Sequence, residues 1–276
     1  MKRLYFGIPT GVEGFWISEL AWKAAQGKVD RSRLKGRKVH LALDLSKKND
    51  LTALSAAFEP AIPGSGEPID VLTWYFTTRE GLEDRSKADN TPWDLWTKEG
   101  HIFAVPGAVI DKTFVALKVA EIVATYGEDV VELVFDPAGM SDFIAACDEI
   151  GLSVWLYEGP DKPEGDGLKL VRHAQGTRVA FEDKQLCMPR SVERLEDKIL
   201  NGGIVIDENP VTYACAANAV TIADGMDNRA FDKRRSRGRI DGLVTIAMAT
   251  GAACANEGQL APRSREFQIF VFGGRQ

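Results

Sequence analysis

Histidine is scarce in this chain and its cysteines are scattered. The 276 residues include three histidines, His40, His101 and His173, and four cysteines, Cys147, Cys187, Cys215 and Cys254. No two histidines stand at ligand spacing and no C-x-x-C pair occurs, so neither a zinc site nor a Ser-His-Asp triad finds its residues. The cysteines are expected to stay thiols. No apolar run approaches the roughly 20 residues of a membrane helix, and the first residues lack the apolar segment of a secretory signal, which predicts a soluble, cytoplasmic protein. A G-x-x-x-x-G-K-[ST] phosphate loop is also missing, and with it a P-loop ATPase site. Positive charge is not in excess: 34 basic residues against 40 acidic give a net charge of −6, so general affinity for nucleic acid is not expected from the sum.

What the chain does have is acids at the ends of apolar runs. Its 45% hydrophobic content is ample for a core, read as one compact domain with extensions. Val39, Leu41 and Leu43 alternate with His40, Ala42 and Asp44, the pattern of a strand with one buried face that ends at Asp44. Val131, Leu133 and Phe135 repeat the pattern and stop at Asp136, where Pro137 removes an amide donor and closes the strand. Ile240, Leu243, Val244, Ala247 and Met248 recur at helical spacing and put Asp241 in a first turn. Each acid alone suits a plain role, capping a turn or a helix. If the strands are adjacent and parallel, all three converge, and a trio of like charges needs a cation. Hard divalent ions take carboxylate oxygens and leave positions for water and phosphate. Two such ions about 4 Å apart activate a water and stabilise the leaving oxygen of an in-line displacement, the chemistry of a phosphodiester nuclease.

Charge distribution supports this more than the sum does. Lys233-Arg234-Arg235-Ser236-Arg237-Gly238-Arg239 sets five basic residues in seven immediately before Asp241. A solvated loop is the plain alternative; beside a metal ligand the run is expected to contact DNA phosphates.

The remaining elements predict a mixed α/β sheet. Thr52 to Phe58 and Val71 to Phe76 are β-prone runs around a Pro- and Gly-rich loop, and form an antiparallel meander with the opening strand. Residues 79–110 read as an irregular surface excursion pinned by Trp93 and Trp96. Asp111 caps a helix with Val115, Val119, Ile122 and Tyr126 on one face, ending at Gly127; the Asp136 strand, a second helix and the strand Val154–Tyr157 follow as a parallel β-α-β-α-β unit. Asn209-Pro210 reads as the cap of an Ala-rich helix running to Ile222, with Asn218 either a core hydrogen-bonding group or a residue that orients the acids from behind. Residues 1–37 read as an arm with a helix near Ile17 to Ala24, and residues 256–276 as a tail whose Phe267–Phe272 run is β-prone.

Leu43-Asp44-Leu45-Ser46 followed by Asp50-Leu51-Thr52-Ala53, the Phe135-Asp136-Pro137 step, Asn209-Pro210 with Asn218, and Lys233 through Ile240-Asp241-Gly242 resemble, in that order, the nuclease half of the large terminase subunit of tailed bacteriophages. The resemblance covers most of residues 38–255. It implies a ribonuclease H-like fold: a mixed sheet, an antiparallel meander plus parallel strands, flanked by helices. It implies an endonuclease that cuts concatemeric double-stranded viral DNA during packaging, with two Mg²⁺ or Mn²⁺ ions held by Asp44, Asp136 and Asp241 and helped by Asp50, and products bearing a 5′-phosphate and a 3′-hydroxyl. Lys233, Arg234, Arg235, Arg237 and Arg239 become the DNA-binding residues, with Lys233 set to neutralise the phosphate. Partners by the same resemblance are the small terminase subunit and the portal protein, in the cytoplasm of the infected bacterial host. The arm would join an ATPase motor that these residues do not include, so an excised domain is expected. Two alternatives stay open: a non-catalytic module docking the motor to DNA or portal, and another ribonuclease H-like nuclease such as a resolvase. A transposase typically carries Glu where this chain has Asp241.

Overall fold

A computed structural model of the chain describes residues 16–46, 51–179 and 186–255. Helix α1 (Glu19–Ala25) starts at Ser18, whose hydroxyl accepts the Ala21 amide, and runs into β1 (Gln26–Gly27). β2 (Val39–Asp44), β3 (Thr52–Phe58) and β4 (Ile69–Thr78) form the expected antiparallel meander. Then come α2 (Leu82–Ala88), α3 (Trp93–Lys98) and β5 (Phe103–Val105). Asp111 caps α4 (Lys112–Tyr126), which crosses to β6 (Val130–Phe135), parallel to β2. α5 (Met140–Glu149), β7 (Val154–Leu156), β8 (Leu168–Arg172), α6 (Met188–Leu200) and β9 (Ile204–Asp207) follow. Asn209 caps α7 (Pro210–Asn218), and the hairpin of β10 (Thr221–Ala223) and β11 (Arg229–Phe231) leads to α8 (Asp241–Ala253).

The main sheet runs β1-β9-β4-β3-β2-β6-β8-β7, with β5 beside β4. β3 alone is antiparallel to its neighbours, and the central order β4-β3-β2-β6-β8 is that of a ribonuclease H-like fold. One apolar core fills the side covered by α4 and α5; the other lies under α1, α6, α7 and α8. Ala42, Ala53 and Ala57 present small side chains on the second side, and Gly242, Ala247, Ala249 and Gly251 do the same on α8, so the helix lies close across β2 and β3.

Several sequence expectations change. β2 is buried on both faces, because Leu41 and Leu43 enter one core while Ala42 enters the other. α8 is buried along its whole length, not on one stripe; its Thr245 hydroxyl is satisfied by Ser55 at 2.8 Å and the Gly242 carbonyl at 3.0 Å. The 79–110 excursion contains α2, α3 and β5, and the two indoles pin it, edge to face at 5.4 Å, with Trp93 donating to Asp89. β8 inserts between β6 and β7, since Leu168, Leu170 and Val171 are buried whereas the half-buried β7 suits an edge. α7 stops at Asn218, and Thr221–Ala223 becomes a strand. Residues 16–37 of the expected arm pack on the domain: Trp16 and Trp22 are buried, α1 lies against α6, and β1 pairs with β9. The expected tail at 256–276 lies outside the described residues. All four cysteines are buried and none forms a disulfide. Among the described residues no helix is long and apolar enough to cross a membrane.

At the start of β2, away from the acids, His40 is buried with Nδ1 3.1 Å from Glu132 and Nε2 2.8 Å from Glu59, and Lys169 stands 2.9 Å from Glu132. Two carboxylate partners make both ring nitrogens donors, the imidazolium form. Burial alone disfavours that charge, but the two glutamates outweigh it and hold the His40 pKa above its usual value. A raised folded-state pKa stabilises fully below the unfolded value of about 6.5 and less as pH climbs through the folded one, with a slope of up to about 1.4 kcal/mol per pH unit for one proton. Thermal melting of the native chain is therefore expected to fall between about pH 7 and about pH 9. His40→Gln should flatten that slope, and a native midpoint indifferent to pH in this range would count against a charged His40.

Candidate active site

Parallel pairing places the first two acids together. Leu43 stands opposite Phe135 in the β2–β6 register, so Asp44 and Asp136 are the next positions on neighbouring strands, about 4.8 Å apart in backbone spacing. Asp44 is 6% exposed and Asp136 half-buried. The third acid arrives on α8: Asp241, 8% exposed, is its first residue, where a carboxylate favours the helix dipole.

The side chain that joins them is Lys233. Its ammonium hydrogen-bonds Asp44 Oδ2 and lies 3.1 Å from Asp241 Oδ1, while 42% of the lysine side chain stays exposed. Burial pushes the Asp44 carboxyl up to about 6, the charges of Asp241 and Asp136 push the same way, and Lys233 opposes them. Burial pulls the Lys233 ammonium down, but Asp44 and Asp241 outweigh this and raise its pKa. Asp136 is thus close enough to act on Asp44, yet its Oδ1 is engaged locally with the Ala138 amide at 3.0 Å. Among the described residues, no three His, Cys, Asp or Glu side chains stand close enough to hold an ion as placed. Asp44 and Asp241 come together through Lys233; Asp136 is a neighbouring charge. Asp50 lies outside the described residues.

The basic strip forms a turn whose Arg234 and Arg235 amides both donate to Asp232 Oδ1. Arg234, Arg235 and Arg237 are exposed on the turn that begins at Lys233, and Arg239 is half-buried with its guanidinium 3.9 Å from Asp89. Asn218 braces the strip's far end: its carbonyl accepts the Arg237 amide at 3.4 Å, and a Cβ on Gly238 would stand 2.5 Å from its Nδ2. Two neighbours were given no role from the sequence. Ser46, two residues past Asp44, has a buried hydroxyl with no hydrogen-bond partner among the described residues, and Lys112 reaches its carbonyl at 2.5 Å. The Asp111 cap beside Lys112 hid that contact. Hard oxygen donors, a buried acid with a raised pKa and an orphaned hydroxyl fit a hard divalent cation.

A family model described as "Terminase large subunit, endonuclease domain" matches residues 1–160, more than half of the chain. This chain belongs to the terminase large-subunit endonuclease family. The large terminase subunit of Enterobacteria phage HK97 is 36% identical over 236 residues, which are 86% of this chain and 41% of that protein. The crystal structure of the HK97 bacteriophage large terminase superposes with a TM-score of 0.70 at 35% identity, covering 86% of this chain and 43% of that one. This terminase nuclease chain therefore spans about two-fifths of the length of those relatives. The nuclease of thermophilic phage G20c, solved with bound magnesium, has 11% identity and a TM-score of 0.47, covering 87% of this chain and 98% of that one. In this terminase chain the family model spans Asp44 and Asp136 and ends before Lys233 and Asp241.

Proposed function

We propose that this chain is a metal-dependent endodeoxyribonuclease that cuts concatemeric double-stranded viral DNA during genome packaging. The observation that carries the reading is the pair of buried acids, Asp44 and Asp241, brought to the C-terminal edge of parallel strands with Asp136 on the next strand and an exposed basic turn alongside. Asp44, Asp136 and Asp241 would hold Mg²⁺ or Mn²⁺, two ions by the family resemblance, with Asp50 a further donor. Bound there, such ions lower the pKa of a water and neutralise charge on the phosphate. Arg234, Arg235 and Arg237 offer exposed guanidiniums to the DNA backbone, Arg239 and Lys233 extend the same surface, and Asn218 holds the turn in register. By the family resemblance the small terminase subunit and the portal would be its partners, in the cytoplasm of the infected host.

A supercoiled plasmid incubated with Mn²⁺ is expected to become nicked and then linear, with 5′-phosphate and 3′-hydroxyl ends, and to stay intact in chelator. The rival reading, a non-catalytic module that docks the motor to DNA or portal, draws on Lys233 already neutralising the acids. Retention of duplex without any cutting in Mn²⁺ would favour it and sink the nuclease.

A further inference from the structure

Lys233 occupies the place on Asp44 and Asp241 that the proposed function gives to a divalent ion. We infer that Lys233 is a built-in counter-cation that competes with the divalent ion for Asp44 and Asp241, so that ion binding must release its ammonium from the acids. The inference rests on the metal-site reading above and adds what the ion has to displace.

The geometry comes first. The ammonium donates to Asp44 and stands 3.1 Å from Asp241. A lone pair that accepts an N–H bond is not available to a cation at 2.0–2.1 Å, the distance Mg²⁺ requires. Charge sets the exchange. The two carboxylates are 8% and 11% exposed, so removing the lysine without a replacement leaves buried like charges uncompensated. A divalent ion replaces one positive charge with two, and Asp136 nearby adds a third acid to the balance. Mobility permits it. Lys233 sits in a turn, not in a helix or strand, and has a flexible four-carbon stem already 42% exposed. Released, the ammonium joins Arg234 and Arg235 on the face where phosphates would lie. The same bridge also explains how two buried acids stay together without an ion.

The test uses the full chain and Mn²⁺ alone, titrated by calorimetry. Lys233→Met is expected to bind Mn²⁺ about tenfold tighter than native, whereas Arg235→Met, which removes an exposed charge from the same turn, changes affinity less than about twofold. Equal tightening in both variants would mean a general field effect and overturn the inference, as would unchanged or weaker binding in Lys233→Met. Should Lys233→Met melt too early to titrate, Lys233→Arg carries the test: its rigid fork should grip the acids harder and weaken Mn²⁺ binding, and equal or tighter binding overturns. A second readout is lysine acylation followed by mass spectrometry. Mn²⁺ should raise the rate at Lys233 several-fold against the exposed Lys98, and no change overturns. Asp44→Asn separates the two readings: if it binds Mn²⁺ like native, the metal site itself fails, and if it loses binding while Lys233→Met is unaltered, only the competition fails.

Discussion

Asp44→Asn is expected to lower plasmid cutting at least about a thousandfold and, in chelator, to make the protein harder to melt. The first effect follows from removing an anionic donor from the centre of the acid group. The second follows from burial. The Asp44 side chain is 8% exposed, and its pKa rises from 3.8 to about 6 because desolvation and the charges of Asp241 and Asp136 together outweigh Lys233. A carboxyl with a raised folded-state pKa stabilises below its unfolded value and loses that contribution as pH rises through about 6, so near pH 8 the ionised group costs on the order of 3 kcal/mol. Asparagine keeps the shape and removes the charge, while Lys233 retains Asp241 at 3.1 Å. A net gain of about 1–2 kcal/mol near pH 8 is expected, shrinking toward zero near pH 5, where native Asp44 is protonated. Urea unfolding in EDTA at the two pH values measures it. A variant that still cuts ends the ligand role; one less stable than native near pH 8 ends the burial argument.

That stability and chemistry pull apart at Asp44 clarifies what the sequence could display. The acids at 44 and 136 were legible because strand alternation is local: a run of six residues shows where it ends and what stands there. Asp241 was legible for the same reason on a helix. The parallel pairing that sets Asp44 beside Asp136 stayed a condition in the sequence, because three strands and three α-helices separate the two runs and only the folded sheet shows them adjacent. What local pattern hides is any partner supplied from a distance. His40 reads as the polar face of a half-exposed strand, yet it is buried with Glu132 on β6 and Glu59 just past the end of β3 at its ring nitrogens. Lys233 reads as one of five strip cations, but its ammonium closes on Asp44 from 189 residues away. α8 reads as a stripe of Ile240, Leu243, Val244, Ala247 and Met248, and the sequence does not show that Thr245, off that stripe, is buried with its hydroxyl satisfied by Ser55 and the Gly242 carbonyl. The β8 insertion depends on which of two short strands buries more apolar surface, a competition between segments that neither sequence displays alone.

The close approach of α8 to the sheet makes Gly242→Ala a costly small change next to Asp241. A Cβ there would stand 2.1 Å from Tyr75 Oη, 2.6 Å from Cε1 and 2.7 Å from Cζ. Tyr75 has no room to yield: it is fully buried in β4, and its hydroxyl is tied to Thr212 Oγ1 at 2.6 Å. The helix must move instead, at an expected cost of about 3 kcal/mol, and the residue displaced with it is Asp241. Gly251→Ala meets Ser191 Oγ at 2.0 Å at the other end of the same helix, so it should destabilise comparably while leaving Asp241 nearer its place. Gly225→Ala, with nothing within 4 Å, is the control and should stay within about 0.5 kcal/mol of native. Urea midpoints rank the three variants, and cutting per folded molecule at low temperature separates the first two. Cutting should fall about tenfold or more in Gly242→Ala and remain near native in Gly251→Ala, because only the first shifts the acid that shares Lys233 with Asp44. A native-like midpoint for Gly242→Ala would mean that Tyr75 can give way, and equal loss of cutting in both variants would mean that the helix transmits strain along its whole length to Asp241.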